Sequence, residues 1–448
     1  MKQSDMTRQP LSRRQFLALL GMGAGGLLVQ PLLSGCAVDP VTGRQEFVIM
    51  SRDEEIALDR KQSPYQFSSD YGPVQDRRLN SYINRVGLEV AAHSHRPDMP
   101  FSFRAVNAAY INAYAFPGGS IAATRGILVE LNNEAELAAL LGHEIGHVCA
   151  RHTAEQSTKG LLANLLVAGA AIATSAAGYS DAAGLVQDLG GLGAGALLAR
   201  YSRDNEREAD ALGMEYMVRT GYTPRGMVEL MEILLRSGRQ KASAIELMFA
   251  THPMSEERLR TAEERARGEY AAMLSRPDHR QRYMEHTAAL RRIKPAIVAM
   301  QQAQKAFAGK KYHRAEELLN RALKIAPDDY AALVMMAKCQ YAMQRKQKAE
   351  RYALRAARVY PQEAQAHLVA GVIGIENRNY GRALQQLTEY DRRLPGNPEI
   401  IFLRGLALEG MQRRQEAARA YADFLRRVNR GPMARYAYNR LQTWGYVP

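Results

Sequence analysis

Cysteine and tryptophan are scarce in this chain of 448 residues, with three Cys (Cys36, Cys149 and Cys339) and one Trp. Three thiols cannot form the disulfide framework of a small secreted domain, so the fold must rest on apolar burial. Hydrophobic residues make up 46% of the chain, enough for a sizeable core, and the length calls for two or three domains. Negative charge is also short, and the formal net charge is +14. That imbalance is local. Residues 296–448 hold 26 Lys and Arg against 13 Asp and Glu, residues 37–295 hold 30 against 32, and the first 36 hold 4 against 1. The basic excess therefore belongs to the C-terminal third.

Long apolar runs are few. Leu161–Gly178 is mostly Leu, Ala, Val and Gly, with Asn164, Thr174 and Ser175 as its polar residues, and 183–199 is similar. Eighteen residues sit at the lower edge of a membrane span. We expect helices packed by small residues that form a lid or a substrate-facing wall, with a membrane contact as the other reading. The first segment reads as an address. Arg13 and Arg14, followed by Phe16 and Leu17, resemble a twin-arginine export signal, and Leu33-Ser34-Gly35-Cys36 resembles a lipoprotein cleavage box. The expectation is a signal peptide over 1–36, lipid on Cys36, and a periplasmic protein anchored to the outer membrane.

Residues 37–50 read as an extended tether ending in a short strand. Residues 51–95 have a helical pattern, with Ile56, Leu58, Leu79, Tyr82, Ile83, Val86, Leu88 and Val90 spaced for buried faces. Residues 101–106, 111–116 and 120–125 are strand candidates, the last two joined by Pro117-Gly118-Gly119. A helix is predicted from about Asn133 through His147, and another over 201–221, with Gly221 as its stop and Pro224 following. Residues 225–238 make a further helix, then a loop carries Thr251-His252-Pro253. The charged helix over 255–272 reads as solvated.

The last third repeats. Pro327, Pro361 and Pro395 are 34 residues apart, as are Ala315, Ala349, Ala383 and Ala417. That is the tetratricopeptide period of two helices per repeat, with the alanine where the second helix packs on the first. Three or four repeats fit between about 296 and 431, and 432–445 suits a terminal helix. Stacked repeats curve into a groove, and a basic groove favours acidic protein segments. The export signal argues against nucleic acid as the partner.

The chemistry centres on His143-Glu144-x-x-His147. Two imidazoles four apart on a helix share a face and can bind one zinc ion, with the glutamate between them placed to act on a water. Catalytic zinc needs a third protein ligand, and the helix over Asn205-Glu206-Arg207-Glu208-Ala209-Asp210 offers candidates. These motifs resemble the HtpX-like and prenyl-protease-like zinc metallopeptidases, whose second motif is Glu-x-x-Ala-Asp preceded by Ser-Arg. Here that is Ser202-Arg203 and then Glu206 to Asp210. Asn112 through Gly119, Thr124-Arg125-Gly126, Pro40 through Arg44 and His252-Pro253 extend the likeness to exported members of the family that carry tetratricopeptide repeats.

The resemblance implies a mainly α, zincin-like fold with a small β-sheet, a metalloprotease domain over 37–290 and an α-solenoid of repeats over 296–445. It implies one zinc per chain on His143, His147 and Glu206, with Glu144 as the catalytic base. Asp210 would orient a ligating histidine from behind, and Glu208 would be a surface carboxylate. His252 either stabilises the transition state or caps zinc as a removable ligand, and Arg203 is the alternative helper. The strand near 120–124 would take substrate by strand addition. His152 lies off the ligand face and reads as solvated. Cys149 faces away from the ligands, and nothing supports pairing it with Cys339. The implied clients are unfolded or misassembled envelope proteins, with the repeats recruiting them or the outer-membrane barrel assembly machinery. A chaperone or scaffold with secondary proteolysis is the competing class.

Overall fold

The structure, a computed structural model, describes residues 50–156, 200–240 and 242–447, together with Ala37–Val38, Val41 and Gln45–Glu46. The segment holding Arg13, Arg14 and Cys36, and the apolar stretch 161–199, lie outside the described residues. Among those described, no helix is long and apolar enough to cross a membrane. The described residues are mainly helical, with a two-stranded and a three-stranded sheet.

Two-residue strands β1 (Ala37–Val38) and β2 (Gln45–Glu46) pair antiparallel. Helix α1 (Arg52–Ser69) opens on a reciprocal cap in which Ser51 Oγ accepts from the Glu54 N–H and the Glu54 carboxylate accepts from the Ser51 N–H. Its buried face is polar, contrary to the apolar face expected from Ile56 and Leu58. Glu55, Asp59, Ser63 and Gln66 are buried, and Ile56 and Leu58 are half-buried. The reason is tertiary: Glu55 pairs with Arg96 at 2.6 Å and Arg151 at 2.7 Å, and Asp59 accepts from the Ser120 N–H at 2.8 Å. Helix α2 (Arg77–Ala91) does bury Leu79, Tyr82, Ile83, Val86 and Val90, but leaves Leu88 exposed.

The three-stranded sheet holds β3 (Ser102–Val106), β4 (Ala113–Ala115) and β5 (Ser120–Thr124) in the order β3-β5-β4. Strand β3 runs parallel to β5, and β4 runs antiparallel to it with Tyr114 opposite Ala122. The β4–β5 turn uses Gly119 at φ +97°, a conformation that favours glycine. Because β5 is central, both its edges are taken. Strand addition at 120–124 is therefore excluded, and the outer strand on that side is β4.

A short helix α3 (Arg125–Leu128) leads to α4 (Glu134–Cys149), which starts at Asn133 with its side chain accepting from the Glu136 N–H. Every residue of α4 is buried. Helix α5 (Arg203–Arg219) begins at the Ser202 cap and stops before Gly221 at φ +105°. The two helices cross on small residues. A Cβ on Gly142 would fall 2.9 Å from the Gly213 carbonyl, one on Gly146 2.9 Å from that of Ala209, and one on Gly213 2.7 Å from the His143 nitrogen. Larger side chains there would force the backbones apart. Then come α6 (Arg225–Gln240), α7 (Ala242–Thr251), α8 (Glu256–Arg267) and α9 (Arg280–Arg292). Helix α7 occupies a stretch read from sequence as loop, and buries Ile245 and Met248.

The C-terminal helices come in pairs: α10 (Lys294–Ala308) with α11 (Tyr312–Ile325), α12 (Tyr330–Ala342) with α13 (Lys346–Val359), α14 (Gln365–Glu376) with α15 (Tyr380–Arg393), and α16 (Pro398–Gly410) with α17 (Arg414–Arg427), closed by α18 (Pro432–Thr443). The 34-spaced alanines Ala315, Ala349, Ala383 and Ala417 sit on the second helix of each pair with no exposed surface. The first helices do not line an open groove through the early repeats. They share one apolar core with the N-terminal part, running from Tyr71 to Ala366. Arg125 and Asp329 form a buried ion pair at 2.6 Å, Gln301 donates to the Ala109 carbonyl at 2.8 Å, and the Ser68 hydroxyl donates to Glu363. Helices α12 and α14 are accordingly buried on nearly every side.

Two outcomes test this joint. Asp329→Ala leaves a buried guanidinium unpaired and removes the cap that accepts from the Ala332 N–H, so it should cost about 3–5 kcal/mol in chemical denaturation. A loss below about 1 kcal/mol would contradict a buried pair. Burial pushes the Glu363 carboxyl up to about 7, above its value in the unfolded chain. Its contribution to stability is therefore full below about pH 4.5 and is lost as pH rises through about 7. The melting temperature should fall between pH 5.5 and 8, and Glu363→Gln should shrink that fall. An equal fall in both proteins would count against this burial.

Candidate metal centre

The close crossing of α4 and α5 sets two pairs of side chains against each other: His143 and His147 from one helix, Glu206 and Asp210 from the other. Each pair is one turn apart on its own helix. His143 Nε2 lies 3.1 Å from His147 Nε2 and 3.6 Å from Glu206 Oε2, and His147 Nε2 lies 3.3 Å from Glu206 Oε1. His252, on the loop after α7, brings Nδ1 to 3.0 Å from Glu206 Oε1 and 3.4 Å from His143 Nε2. The ligand atoms of these four buried residues all lie within 4.8 Å of one another.

The partners behind the imidazoles show what belongs among them. His143 Nδ1 is 2.9 Å from Asp210 Oδ1, and that carboxylate favours the tautomer with the proton on Nδ1 and the lone pair on the inward Nε2. His147 Nδ1 is 3.0 Å from His152 Nδ1, and His152 Nε2 is 3.2 Å from Glu208 Oε2. Glu208 accepts the His152 N–H, His152 accepts that of His147, and the His147 Nε2 lone pair also faces inward. Two nitrogen lone pairs and a carboxylate thus converge among buried side chains, an arrangement that repels itself unless a cation sits between them. Zinc bound to His nitrogen at about 2.0–2.1 Å in a tetrahedron has ligand atoms about 3.3 Å apart. The separations of 3.0–3.6 Å fit that group.

The wider surroundings brace the site. Arg258 on α8 reaches Glu206 Oε2 at 2.6 Å, both oxygens of Asp210 at 2.7 and 2.8 Å, and the Pro253 carbonyl at 3.1 Å. It ties the helix bearing Glu206 to the loop bearing His252. Tyr201 stacks on His147 with ring centroids 3.7 Å apart, and its hydroxyl meets that of Thr153 at 3.0 Å. Burial would raise the Glu206 carboxyl, but His252, His147 and Arg258 outweigh it and hold the group well below its usual range. Burial pulls the His147 imidazole well down. Burial also lowers His252, but the Glu206 and Glu144 carboxylates more than reverse this. Glu144 is fully buried, neither oxygen has a hydrogen-bond partner in the protein, and burial raises its pKa.

The structure therefore brings His143, His147, Glu206, Asp210 and His252 together, with Glu144 facing His252 at 3.8 Å. Arg203 is elsewhere, exposed on the first turn of α5, and the arginine at the ligands is Arg258. His152 is buried, not solvated, because its ring bridges His147 to Glu208. Cys149 and Cys339 are buried free thiols. Three participants escaped sequence reasoning. Tyr201 immediately precedes the Ser202-Arg203 signature, and Arg258 lies five residues past Pro253 in a stretch whose charge suggested solvent. His152 is five residues beyond His147, an offset that the turn after α4, with Arg151 at φ +55°, folds back.

Asp210→Asn should lower zinc affinity by about 10–100-fold, measured by competition with a chromogenic chelator, because the His143 ring loses its anionic partner. Unchanged affinity would show that Asp210 does not orient a ligand.

Residues 77–266 match peptidase family M48, and residues 306–371 match the tetratricopeptide repeat. The beta-barrel assembly-enhancing protease of Yersinia pestis is 32% identical over 254 residues, 56% of this chain and 51% of that protein. The mitochondrial metalloendopeptidase OMA1 of Schizosaccharomyces pombe is 32% identical over 233 residues, 50% of this chain and 65% of that protein. Metalloprotease YcaL of Escherichia coli is 30% identical over 193 residues, 43% of this chain and 68% of that protein. The chain spans about half the length of the Yersinia relative. With its paired ligand helices and these likenesses, the chain belongs to peptidase family M48.

Proposed function

We propose that the chain is a zinc-dependent endopeptidase of the bacterial cell envelope that degrades misfolded or misassembled outer-membrane and periplasmic proteins. The observation that carries this reading is the convergence of His143, His147 and Glu206 beside a buried Glu144 whose oxygens accept no hydrogen bond from the described residues. A zinc ion held by those three side chains would supply a Lewis acid that acidifies water and polarises a peptide carbonyl. Glu144, buried beside the ligand set, would take the proton from the attacking water and return it to the departing amine. Asp210 and the His152–Glu208 pair keep the two imidazoles turned inward. Arg258 holds Glu206 charged and in place.

His252 is the removable member of the set. It comes from a loop rather than from the paired helices, and it fills the corner that a substrate must take. Withdrawal of this loop opens the site. An extended client then lies against β4, the outer strand beside α4. In this reading residues 37–290 carry the chemistry and the repeats over 296–445 recruit clients or the barrel assembly machinery. The protein is exported and anchored to the outer membrane by lipid on Cys36. Support for the address comes from the Arg13-Arg14 and Cys36 signatures and from the beta-barrel assembly that appears in the names of Yersinia pestis and Escherichia coli relatives.

The closed state of the site also suits the second reading, a chaperone or scaffold whose proteolysis is occasional. Glu144→Gln separates the two. It should keep zinc and the melting temperature of the parent while cleavage of unfolded casein drops by about 10⁴-fold or more. Undiminished cleavage would sink the peptidase assignment. Full rescue of an envelope-assembly defect by the inactive variant would favour the chaperone.

A further inference from the structure

Between residues 310 and 358 the chain carries twelve Lys and Arg against five Asp and Glu. The fold sorts these charges. The first helices of the early repeats are occupied by the peptidase body through Asp329, Gln301 and Glu363. The second helices, α11 and α13, pack against other repeat helices and present their remaining faces outward, with Gln75 reaching the last residue of α13 at the Val359 carbonyl. Along α13, Lys348, Arg351, Arg355 and Arg358 recur at spacings of three, four and three, which puts them on one face. They line a groove of about 720 Å³ together with residues of α11.

Little inside the protein neutralises that face. Arg355 is held by Asp328 at 3.0 Å and the Pro327 carbonyl at 2.9 Å. Lys348, Arg351 and Arg358 are exposed and, among the described residues, form no ion pair. Glu316, the acid in the groove, is engaged by Arg345 at 2.9 Å and Gln340 at 2.8 Å. Half-buried Tyr352 and Leu354 also line it. A neighbouring concavity of about 500 Å³ is walled by Lys310, Lys311, Arg314 and Arg345; Arg314 is paired with Glu317 at 2.8 Å and Arg345 with Glu316, so Lys310 and Lys311 carry the positive charge beyond the groove. Like charges gathered over a concave surface repel one another, and an anionic partner relieves that cost.

We propose that this outer groove between α11 and α13, rather than the filled face of the first helices, docks an acidic, extended polypeptide segment. Its carboxylates meet Lys348, Arg351 and Arg358, and an apolar side chain rests on Tyr352 and Leu354. The shape selects this occupant over a bilayer, whose phosphates lie in a plane and cannot follow a cleft between two helices. Lys348 to Arg358 spans about 15 Å along the helix, which an extended chain covers with about five residues.

The test reads binding rather than cleavage, so it stands or falls apart from the peptidase assignment. Fluorescein-labelled decaglutamate is titrated with the full chain and followed by anisotropy. R351E/R358E should weaken binding by about tenfold or more, and R351Q/R358Q by less. R419E/R430E, a reversal of two exposed arginines on and just beyond α17, should stay within about twofold. Raising salt should weaken the complex, and the melting temperature of R351E/R358E should match that of the parent. Equal weakening by R419E/R430E would reduce the effect to net charge and overturn the proposal. So would no binding of decaglutamate, or binding of phosphatidylglycerol vesicles in its place that R351E/R358E abolishes.

Discussion

Two imidazole lone pairs and a carboxylate forced together in the buried interior are unstable without a cation between them. That constraint organises the first two-thirds of this protein. It demands helices that approach closely enough for side chains four apart on each to meet, and Gly142, Gly146, Ala209 and Gly213 allow that approach. It also demands that each imidazole be turned the right way. Asp210 serves His143 directly, and Glu208 serves His147 through His152. Arg258 then offsets the negative charge gathered at Glu206 and Asp210, and links that charge to the His252 loop.

The repeats belong to the same construction. Their first helices are fastened to the peptidase part by buried polar contacts and one continuous core, so the early repeats act as part of its wall. What stays open is the outward face of the second helices, where the basic residues collect. Burial explains most of the sorting: Arg125 enters the shared core with Asp329 as its partner, and Lys338, set over the Tyr71 ring, has its pKa lowered to about 8 by burial. Most of the other cations are left on the outside, and the surplus of the last third becomes largely a surface property.

Features written in local periodicity were legible from the sequence. The 34-residue spacing of Ala315, Ala349, Ala383 and Ala417 announced helix pairs because each alanine meets the same helix contact. The spacing of His143 and His147 announced a ligand face for the same reason, and Asn133 and Gly221 marked helix ends through local hydrogen bonding and φ. Features made by tertiary contact were not legible. Glu55 and Asp59 bury the polar side of α1 because Arg96, Arg151 and the Ser120 N–H await them, and no pattern within 51–69 reports this. Arg258 looked like one more solvated charge, since its partners lie on α5, about 50 residues earlier. The filling of the repeats' inner face depended on how the two parts dock, and the central place of β5 on which strand lies between the other two.

The central claim is that His143, His147 and Glu206, with His252 at the fourth corner, hold one metal ion. X-ray absorption at the zinc edge on the purified full chain tests it directly. The account predicts one zinc per chain in a four-coordinate shell of histidine nitrogens and a carboxylate oxygen, lost when Glu206 becomes Ala and altered when His252 does. Sulfur ligands, which would point to Cys149 or Cys339, or a shell indifferent to Glu206, would contradict it.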